Sequence, residues 1–521
     1  MTVPIMVSEA ESSDLTACEV SRRAVASSRL SAQFPEEVLE EADHLLPLNI
    51  RERLAAGSVD LRHLPFITID DPDACDLDDA IHVERTGDEW CLRVAIADVA
   101  AYVRPGSAID SEAFNRATSV YLPGLTLPML PERLSGDLCS LLPDQERHCV
   151  VATLEITAAG HIRSSRFERA IIRSQQRLSY ADADKRRVPA SLEKLADDIF
   201  ILAGILGKQA LNRGYLNLEL PEPQPIFAPD GTISGLRRRQ RLESHKAIEH
   251  FMIAAGFAAA ETLKLSSNPT IGAAIFRRHP QTSTAQLRRL YRTSFPDAPR
   301  TISHRLTHHE LLRALMSCSE SETDALVKRL AIWRLQRPAE YSPSPGYHSG
   351  LGLPAYTHFT SPIRRYADLL AHRALMPDGA PLQNFSAEQA AHLNRKERDA
   401  VSITRTVTSK ICGDFLRLEG KSHDAVALSR INGRTEFFLP EYGLSGFEYF
   451  FPIVSERRIG ETERTDPENR TTDLSQPADH IRPRRRHRPL MANGISPVPV
   501  APTCPDTGCL SLPRLARCHR I

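Results

Sequence analysis

The sequence has no net charge. Its 65 Lys and Arg residues are balanced by 65 Asp and Glu residues, so the formal charge at pH 7 is zero. The overall charge therefore gives no indication of a polyanionic partner such as nucleic acid. Any such partner has to be recognised from local groups of residues.

Features of secreted and membrane proteins are also missing. Residues 1–16 contain no basic stretch followed by an apolar core, which argues against a secretory signal. The longest apolar run, Phe251 to Ala260, is far shorter than the roughly 18 residues of a membrane-spanning helix. The 10 cysteines are scattered and show no disulfide spacing. We therefore expect a cytoplasmic protein with reduced thiols and no membrane partner.

The chain of 521 residues is 41% hydrophobic, which is enough for several domains with buried cores. Changes in composition divide it into four predicted segments. These are a partly disordered and helical N-terminal segment (1–50), a mixed α and β domain (51–420), a short segment of strands (421–455) and a disordered tail rich in Arg and Pro (456–521). The fold class predicted from these segments is mixed α/β.

Periodicity predicts the main elements of the second segment. Short apolar runs predict strands at 65–70, 91–103, 150–156 and 161–172. Apolar residues at helical spacing predict helices at 35–46, 243–266, 283–293, 308–315, 322–335 and 364–375, and a long helix after Phe385.

The predicted strand at 65–70 runs directly into an acidic loop. Its carboxylates are Asp70, Asp71, Asp73, Asp76, Asp78 and Asp79. Like charges at this density repel one another unless cations neutralise them. Hard carboxylate oxygens suit Mg²⁺, and two such ions can activate water and stabilise a leaving oxygen in phosphodiester hydrolysis. The loop is therefore a candidate catalytic metal site.

The acidic loop has two other interpretations. An EF-hand calcium loop requires Gly at its sixth position and Glu at its twelfth, but counting from Asp71 these are Asp76 and His82. The calcium pattern therefore fails. A solvated acidic turn stays open, although the apolar sequence on both sides favours a loop that is held by buried elements.

Five blocks of sequence, in a fixed order, carry a family resemblance. The first is Thr68-Ile69-Asp70 followed by Asp76-Leu77-Asp78-Asp79-Ala80. The last is THFTSPIRRYAD, from Thr357 to Asp368, followed by His372-Arg373. Between them lie AIADVAAYV, YLPGLTLPMLPERLSGDLCSLLP and SHKAIEHFMIAAG. Over about residues 50 to 420 the sequence resembles the ribonuclease II family, also called the RNB superfamily.

The resemblance implies an RNB-type catalytic domain, a twisted mixed sheet surrounded by helices. It also implies 3′→5′ exoribonuclease activity on single-stranded RNA, processive or semi-processive, that releases nucleoside 5′-monophosphates by a two-metal-ion mechanism. Mg²⁺ is the expected cofactor and Mn²⁺ a substitute. No organic cofactor is expected, and the chain is expected to act as a monomer.

Individual roles follow from matched positions. The resemblance implies that Asp70, Asp76, Asp78 and Asp79 hold the metal and activate water. It implies that Arg364 contacts the scissile phosphate and that Glu249 lies near the end of the RNA path, so that Asp78, Arg364 and Glu249 are the candidate catalytic residues. Tyr121 matches an aromatic that stacks on bases at the 3′ end, whereas the position of a second such aromatic falls near Leu218.

The chain also departs from the family pattern. Only about 50 residues precede the first block, so the two N-terminal cold-shock barrels are expected to be absent. The strands after Gly420 resemble the start of an S1-like barrel that is not completed. Basic clusters at 237–241 and 277–278 are either part of an RNA channel or a solvated surface. The alternative function is a catalytically weak or inactive RNB-fold protein that binds RNA or regulates it.

Overall fold

The computed structural model describes residues 2–6, 16–265, 274–294, 306–317, 321–376, 385–431 and 434–447. The predicted tail at 456–521 lies outside these residues, as does the end of the predicted strand segment at 448–455. In the described part of the chain, no helix combines the length and the apolar character that crossing a membrane requires.

The main sheet has six strands. They are β2 (Val59–Asp60), β3 (Phe66–Asp70), β4 (Asp79–Thr86), β5 (Glu89–Ala97), β8 (Glu146–Ile156) and β9 (Ile162–Ser179). Strands β2 and β3 run parallel to β9, and the other pairs are antiparallel. This confirms the predicted mixed sheet. The strand predicted at 91–103 is too long, because β5 ends at Ala97 and a short 3₁₀ helix follows at Val99–Ala101.

Five of these strands close into a ring. Strand β3 pairs with β4, β4 with β5, β5 with β8 and β8 with β9. The long β9 then pairs through its C-terminal half with β3, from Ser174 to Ser179. Alternate residues of a strand point to opposite faces. In β5, Leu92 and Val94 belong to one hydrophobic core, whereas Ala95 and Ala97 belong to another.

Twelve helices are described, in addition to short 3₁₀ and π turns. They are α1 (Ala17–Ala26), α2 (Glu36–Asp43), α3 (Ile50–Ala55), α4 (Ala108–Arg116), α5 (Tyr180–Asp184), α6 (Glu193–Arg213), α7 (Glu243–Leu265), α8 (Thr284–Ser294), α9 (His308–Ser317), α10 (Glu322–Leu335), α11 (Tyr366–Leu375) and α12 (Ala387–Glu419). The predicted helices are confirmed to within a few residues. Helix α11 begins two residues later than expected because the backbone of Arg365, the residue before its first turn, is extended. Helices α6 and α7 pack on the core that contains Leu92.

Three further sheets are small. Hairpins β6–β7 (Val120–Leu122 and Leu125–Leu127) and β10–β11 (Pro223–Phe227 and Ile233–Arg238) lie beside α12, and β12 (Phe276–Arg278) pairs with β13 (Glu340–Ser342). After α12 the chain forms β14 (Ser422–Ile431), β15 (Arg434–Leu439) and β16 (Leu444–Phe447). Strand β1 (Thr2–Met6) pairs with β14 and makes this the C-terminal sheet of four strands. The boundaries of the predicted domains stay predictions.

Candidate active site

The acidic loop connects two strands of the ring. Strand β3 ends at Asp70 and β4 begins at Asp79, so both residues lie at one end of the ring. A cavity of about 380 Å³ opens there. Its lining includes six of the seven residues that the sequence singled out, namely Asp70, Asp76, Asp78, Asp79, Glu249 and Arg364. We call it the catalytic cavity.

The loop is held by several hydrogen bonds and by one buried side chain, unlike a solvated turn. Its backbone carbonyls at positions 71, 72 and 74 accept hydrogen bonds from one nitrogen of Arg177, at 3.2, 2.9 and 2.7 Å. Leu77 is completely buried, and its N–H donates to Oγ of Ser140, which itself donates to the carbonyl of Cys75. These contacts hold the carboxylates against the cavity and argue against the solvated-turn interpretation.

Asp78 links the acidic loop to the second sequence block. Its Oδ1 accepts a hydrogen bond of 2.9 Å from the N–H of Ile363, and its Oδ2 lies 3.4 Å from Nε of Arg364. Burial raises the pKa of Asp78 well above its usual value, although the nearby guanidinium of Arg364 opposes this effect. The arrangement therefore brings together the two blocks that the resemblance assigned to one site.

Asp70 and Asp79 carry the other perturbed carboxyl groups. Burial raises the pKa of Asp70 to about 8, with a further contribution from the charge of Asp79. Burial also raises the pKa of Asp79 to about 6, against the effect of Arg364 and Arg365. Crowded acids that are shielded from water favour a bound cation over separate negative charges.

Two buried carboxylate oxygens, Oδ2 of Asp70 and Oδ2 of Asp78, have no hydrogen-bond partner among the residues that the structure describes. Oxygens of this kind, in a cavity lined by four aspartates, fit a hard divalent cation. Over the described ranges, however, no three His, Cys, Asp or Glu side chains are grouped closely enough to hold a metal ion as they stand. The donor chemistry fits the expected cofactor, and binding requires the side chains to draw together.

The segment from 359 to 373 is mostly structural. Asp368 is fully buried and accepts two hydrogen bonds from Arg365, at 2.9 and 2.7 Å, and one of 2.7 Å from the N–H of Ser361. Arg373 is similarly buried and donates to Asp110. By contrast, Arg364 is 44% exposed and lines the catalytic cavity, where its Nη2 donates to Oγ of Ser361. Arg364 therefore presents a guanidinium to the cavity, whereas Arg365, which also lines the cavity, is bound to Asp368 and supports the fold.

Tyr121 lies on β6 beside the acidic loop. Its hydroxyl donates a hydrogen bond of 2.5 Å to Oδ2 of Asp76, and the residue is 44% exposed. Burial of the hydroxyl and the charge of Asp76 raise its pKa, so it remains protonated. The half-buried core tyrosine that the residue type alone would suggest is therefore excluded. An exposed ring at this place is available for stacking on a base.

Glu249 lies on α7 at the edge of the catalytic cavity. Its Oε1 accepts a hydrogen bond of 2.5 Å from the hydroxyl of Tyr215, and its Oε2 forms an ion pair with Arg241. Glu249 also lines a second cavity on the other side. Glu249 therefore lies at the boundary between the two cavities.

Sequence reasoning missed Tyr180, which also lines the catalytic cavity. Its ring stacks on His245 with the centroids 3.9 Å apart, and burial together with the charges of Asp79 and Asp70 raises its pKa. A signal was available, because Tyr180 directly follows β9. The parallel strands β9 and β3 end together, with Ser179 opposite Asp70.

The two basic clusters have different surroundings. Arg277 is buried and forms a two-point ion pair with Glu397, at 2.7 Å for both contacts, so it supports the fold and does not line a channel. In the other cluster, Arg239 and Arg241 line the second cavity. Leu218, at the position of the expected second aromatic, lines the same cavity.

Comparisons with known proteins agree with this geometry. The sequence model of the RNB domain family matches residues 58–377 of this chain. Ribonuclease R of Escherichia coli (strain K12) is 36% identical over 401 residues, which span 70% of this chain and 48% of that protein. The chain therefore spans about half the length of the curated relatives it matches.

Solved structures of ribonuclease R resemble this chain in fold as well as in sequence. Mycoplasma genitalium RNase R in complex with ribose methylated single-stranded RNA superposes with a TM-score of 0.74 at 26% identity, covering 82% of this chain and 69% of that one. Yeast Ssd1, a pseudonuclease, shares the fold at 19% identity, with a TM-score of 0.62 over 77% of this chain and 51% of that one. With its four aspartates beside Arg364 and a family match across more than half of its residues, the chain belongs to the RNB domain family.

Proposed function

We propose that this chain is a metal-dependent 3′→5′ exoribonuclease that hydrolyses single-stranded RNA to nucleoside 5′-monophosphates. The observation that carries the proposal is the meeting of Asp78 and Arg364 in a cavity lined by three further aspartates. Carboxylates provide oxygen ligands, and an adjacent guanidinium provides the positive charge that a phosphoryl transition state requires. Similarity to ribonuclease R supports the reaction and its direction.

Asp70, Asp76, Asp78 and Asp79 would hold the metal ions. When bound, two Mg²⁺ ions supply an activated water and stabilise the leaving oxygen. The raised pKa of Asp70, about 8, means that its carboxyl gives up a proton when it becomes a ligand near neutral pH, whereas Asp79, with a pKa of about 6, has largely lost its proton there. Mn²⁺, with the same preference for oxygen, is the expected substitute.

Side chains of the protein itself position the RNA and stabilise the transition state. Arg364, held by Asp78 and Ser361, directs its guanidinium at the scissile phosphate and stabilises the charge that develops there. The ring of Tyr121 holds the terminal bases by stacking, which tolerates any sequence. Glu249 lies where the RNA strand would enter the catalytic cavity. Action as a monomer in the cytoplasm and processive or semi-processive degradation are parts of the same proposal.

The alternative is an RNB-fold protein that binds RNA without cleaving it. One observation favours it: among residues placed by the structure, no three potential ligands already form a metal-binding group. The full set of four loop aspartates and Arg364 favours the nuclease, because crowding four acids in a cavity costs stability and needs a functional reason.

Incubation with 5′-labelled oligo(A) separates the two functions. We expect a ladder of products shortened from the 3′ end in Mg²⁺ or Mn²⁺, and we expect EDTA to abolish it. The released product should co-migrate with adenosine 5′-monophosphate. Retention of the RNA without any cleavage in either metal would establish the inactive alternative, and internal fragments would exclude an exonuclease.

A further inference from the structure

A second cavity, of about 600 Å³, adjoins the catalytic cavity at Glu249. Its walls come from the segment 215–222, the segment 239–245, helices α10 and α12 and the C-terminal sheet. The reaction proposed above makes no use of most of these residues. We call it the outer cavity.

Trp333 of α10 lies in the wall of the outer cavity and is 42% exposed. The helix around it is firmly fixed. Leu330 packs in one hydrophobic cluster with Phe438 of the C-terminal sheet, and Arg334 forms an ion pair of 2.5 Å with Glu436 of the same sheet. Large indole rings are usually well buried in folded proteins. Here a rigid support leaves one open to the cavity.

Arg405 of α12 lies against this indole, with the centre of its guanidinium 5.4 Å from the ring centroid. The other two arginines of the wall are already paired, Arg239 with Asp71 and Arg241 with Glu249. No carboxylate within the described ranges lies at ion-pair distance from Arg405. Its positive charge is therefore available to an anionic ligand.

We propose that Trp333 and Arg405 form a binding site for a nucleotide of the RNA strand on the 5′ side of the scissile bond. The base stacks on the indole and the phosphate beside it contacts the guanidinium. The inference rests on the proposed function, since the strand must end in the catalytic cavity. Both contacts tolerate any base sequence.

Continuity between the cavities favours RNA over a protein ligand. A strand with its 3′ end among the four aspartates can continue past Glu249 into the outer cavity, because both cavities share this residue. The acidic residues of the outer cavity each lie near a cation. Glu249 is paired with Arg241, Glu219 lies 3.4 Å from Lys246, and Glu222 lies 4.0 Å from Arg239. The outer cavity therefore presents the indole of Trp333 and the guanidinium of Arg405 to an RNA strand that leaves the catalytic cavity.

Intrinsic fluorescence can test the site, because the chain contains only two tryptophans. Trp90 is 4% exposed in a hydrophobic core, so RNA that binds in the outer cavity changes the emission of Trp333 alone. The measurement uses full-length Asp78→Asn protein in EDTA, in which RNA stays intact. We expect oligo(A) of about 20 nucleotides to quench the emission saturably. A dinucleotide, which fills only the catalytic cavity, should leave it unchanged, and Trp333→Phe should remove the response to the long RNA.

Affinity provides the second measurement. Loss of base stacking in Trp333→Ala should raise the Kd for the long RNA roughly 5- to 150-fold. Trp333→Phe keeps an aromatic ring, so its Kd should lie between those of the parent protein and Trp333→Ala. A purely structural role of Trp333 would not predict this order of Kd values. Arg405→Ala should reduce the salt dependence of binding by about one phosphate contact.

The chain offers a matched control. Arg85 lies over Trp90 at the same distance of 5.4 Å, but at the opposite end of β4 from Asp79. Arg85→Ala should therefore leave both the quenching and the salt dependence as in the parent protein.

The outcomes also separate this inference from the proposed function. If long RNA quenches the emission but the unmodified chain never cleaves RNA, the proposed nuclease function is wrong and the nucleotide site at Trp333 is supported. If the chain cleaves RNA in Mg²⁺ but long RNA does not quench the emission, the nucleotide site at Trp333 is wrong and the nuclease function stands. The same conclusion follows if the chain cleaves RNA and Trp333→Ala binds RNA with wild-type affinity.

Discussion

The catalytic cavity and the outer cavity lie side by side, yet the sequence builds them in different ways. The groups assigned to chemistry come mainly from two short segments, 70–79 and 356–365. The outer cavity draws its walls from residues scattered between Tyr215 and Ser445. Chemistry that needs several charges at once is concentrated in recognisable motifs, whereas a binding surface can be assembled from single residues. A motif search therefore finds the first kind of site and overlooks the second.

The sharpest test of this separation is Asp78→Asn. The amide oxygen can still accept the hydrogen bond from Ile363, but the residue can no longer act as a carboxylate ligand. We expect the rate of oligo(A) hydrolysis to fall by at least about a hundredfold, while the Kd for RNA changes little.

Asp73→Asn is the matched control, since Asp73 lies in the same loop but is exposed to solvent and does not line the cavity. Its rate should equal that of the parent chain. Similar rates for the two variants would contradict the assignment of Asp78, and a large loss of RNA affinity in Asp78→Asn would show that the two cavities are not independent.

Two neighbouring arginines give the next largest effects, of different kinds. Arg364→Ala removes a half-exposed guanidinium and should lower kcat by roughly 10²- to 10³-fold, with a smaller change in the free energy of unfolding than Arg365→Ala, because its contact with Asp78 is longer, at 3.4 Å. Arg365→Ala leaves the fully buried carboxylate of Asp368 without its charged partner and should destabilise the fold by about 3 kcal/mol. Urea denaturation and steady-state kinetics of both variants measure the contrast. The same loss of stability in both would mean that Arg364 is also structural.

The smallest expected effect concerns Tyr121, which belongs to the catalytic side. Tyr121→Ala removes the stacking ring and should weaken substrate binding by about 1–3 kcal/mol, seen as a higher KM. Tyr121→Phe keeps the ring and loses only the hydrogen bond to Asp76, so its KM should stay close to that of the parent. If the Phe variant were as impaired as the Ala variant, the hydroxyl and its contact with Asp76 would matter more than stacking.

Much of the fold follows from local sequence patterns. The helix from Glu243 to Leu265 and the strand before the acidic loop were predicted from their own patterns, whereas β4 after the loop was not predicted as a strand. Helix α6 was missed although it ends at Gly214 in a left-handed conformation, a common signal for the end of a helix. Ring closure could not be predicted, since the pairing that completes it joins Phe66–Asp70 of β3 to Ser174–Ser179 of β9, which are far apart in sequence.

The candidate site was predictable to a similar degree. The four aspartates and Arg364 were found because their motifs are contiguous, and the structure brings them to one cavity. Tyr180 required knowledge of which strands are parallel neighbours. Trp333 and Arg405 are separated by more than 70 positions and meet only through the packing of α10 and α12 around the C-terminal sheet. No local pattern marks such a pair.

The ring of strands also has a practical use. Its catalytic end is occupied by the acidic loop, whereas the tight turn between β4 and β5, at Gly87 and Asp88, lies at the other end, about 25 Å away for a strand of this length. Asp88 is almost completely exposed. A peptide tag inserted there would anchor the protein to a sensor chip with the cavity facing the buffer. Coupling through a thiol would turn the cavity towards the chip, because Cys75 is exposed in the acidic loop itself.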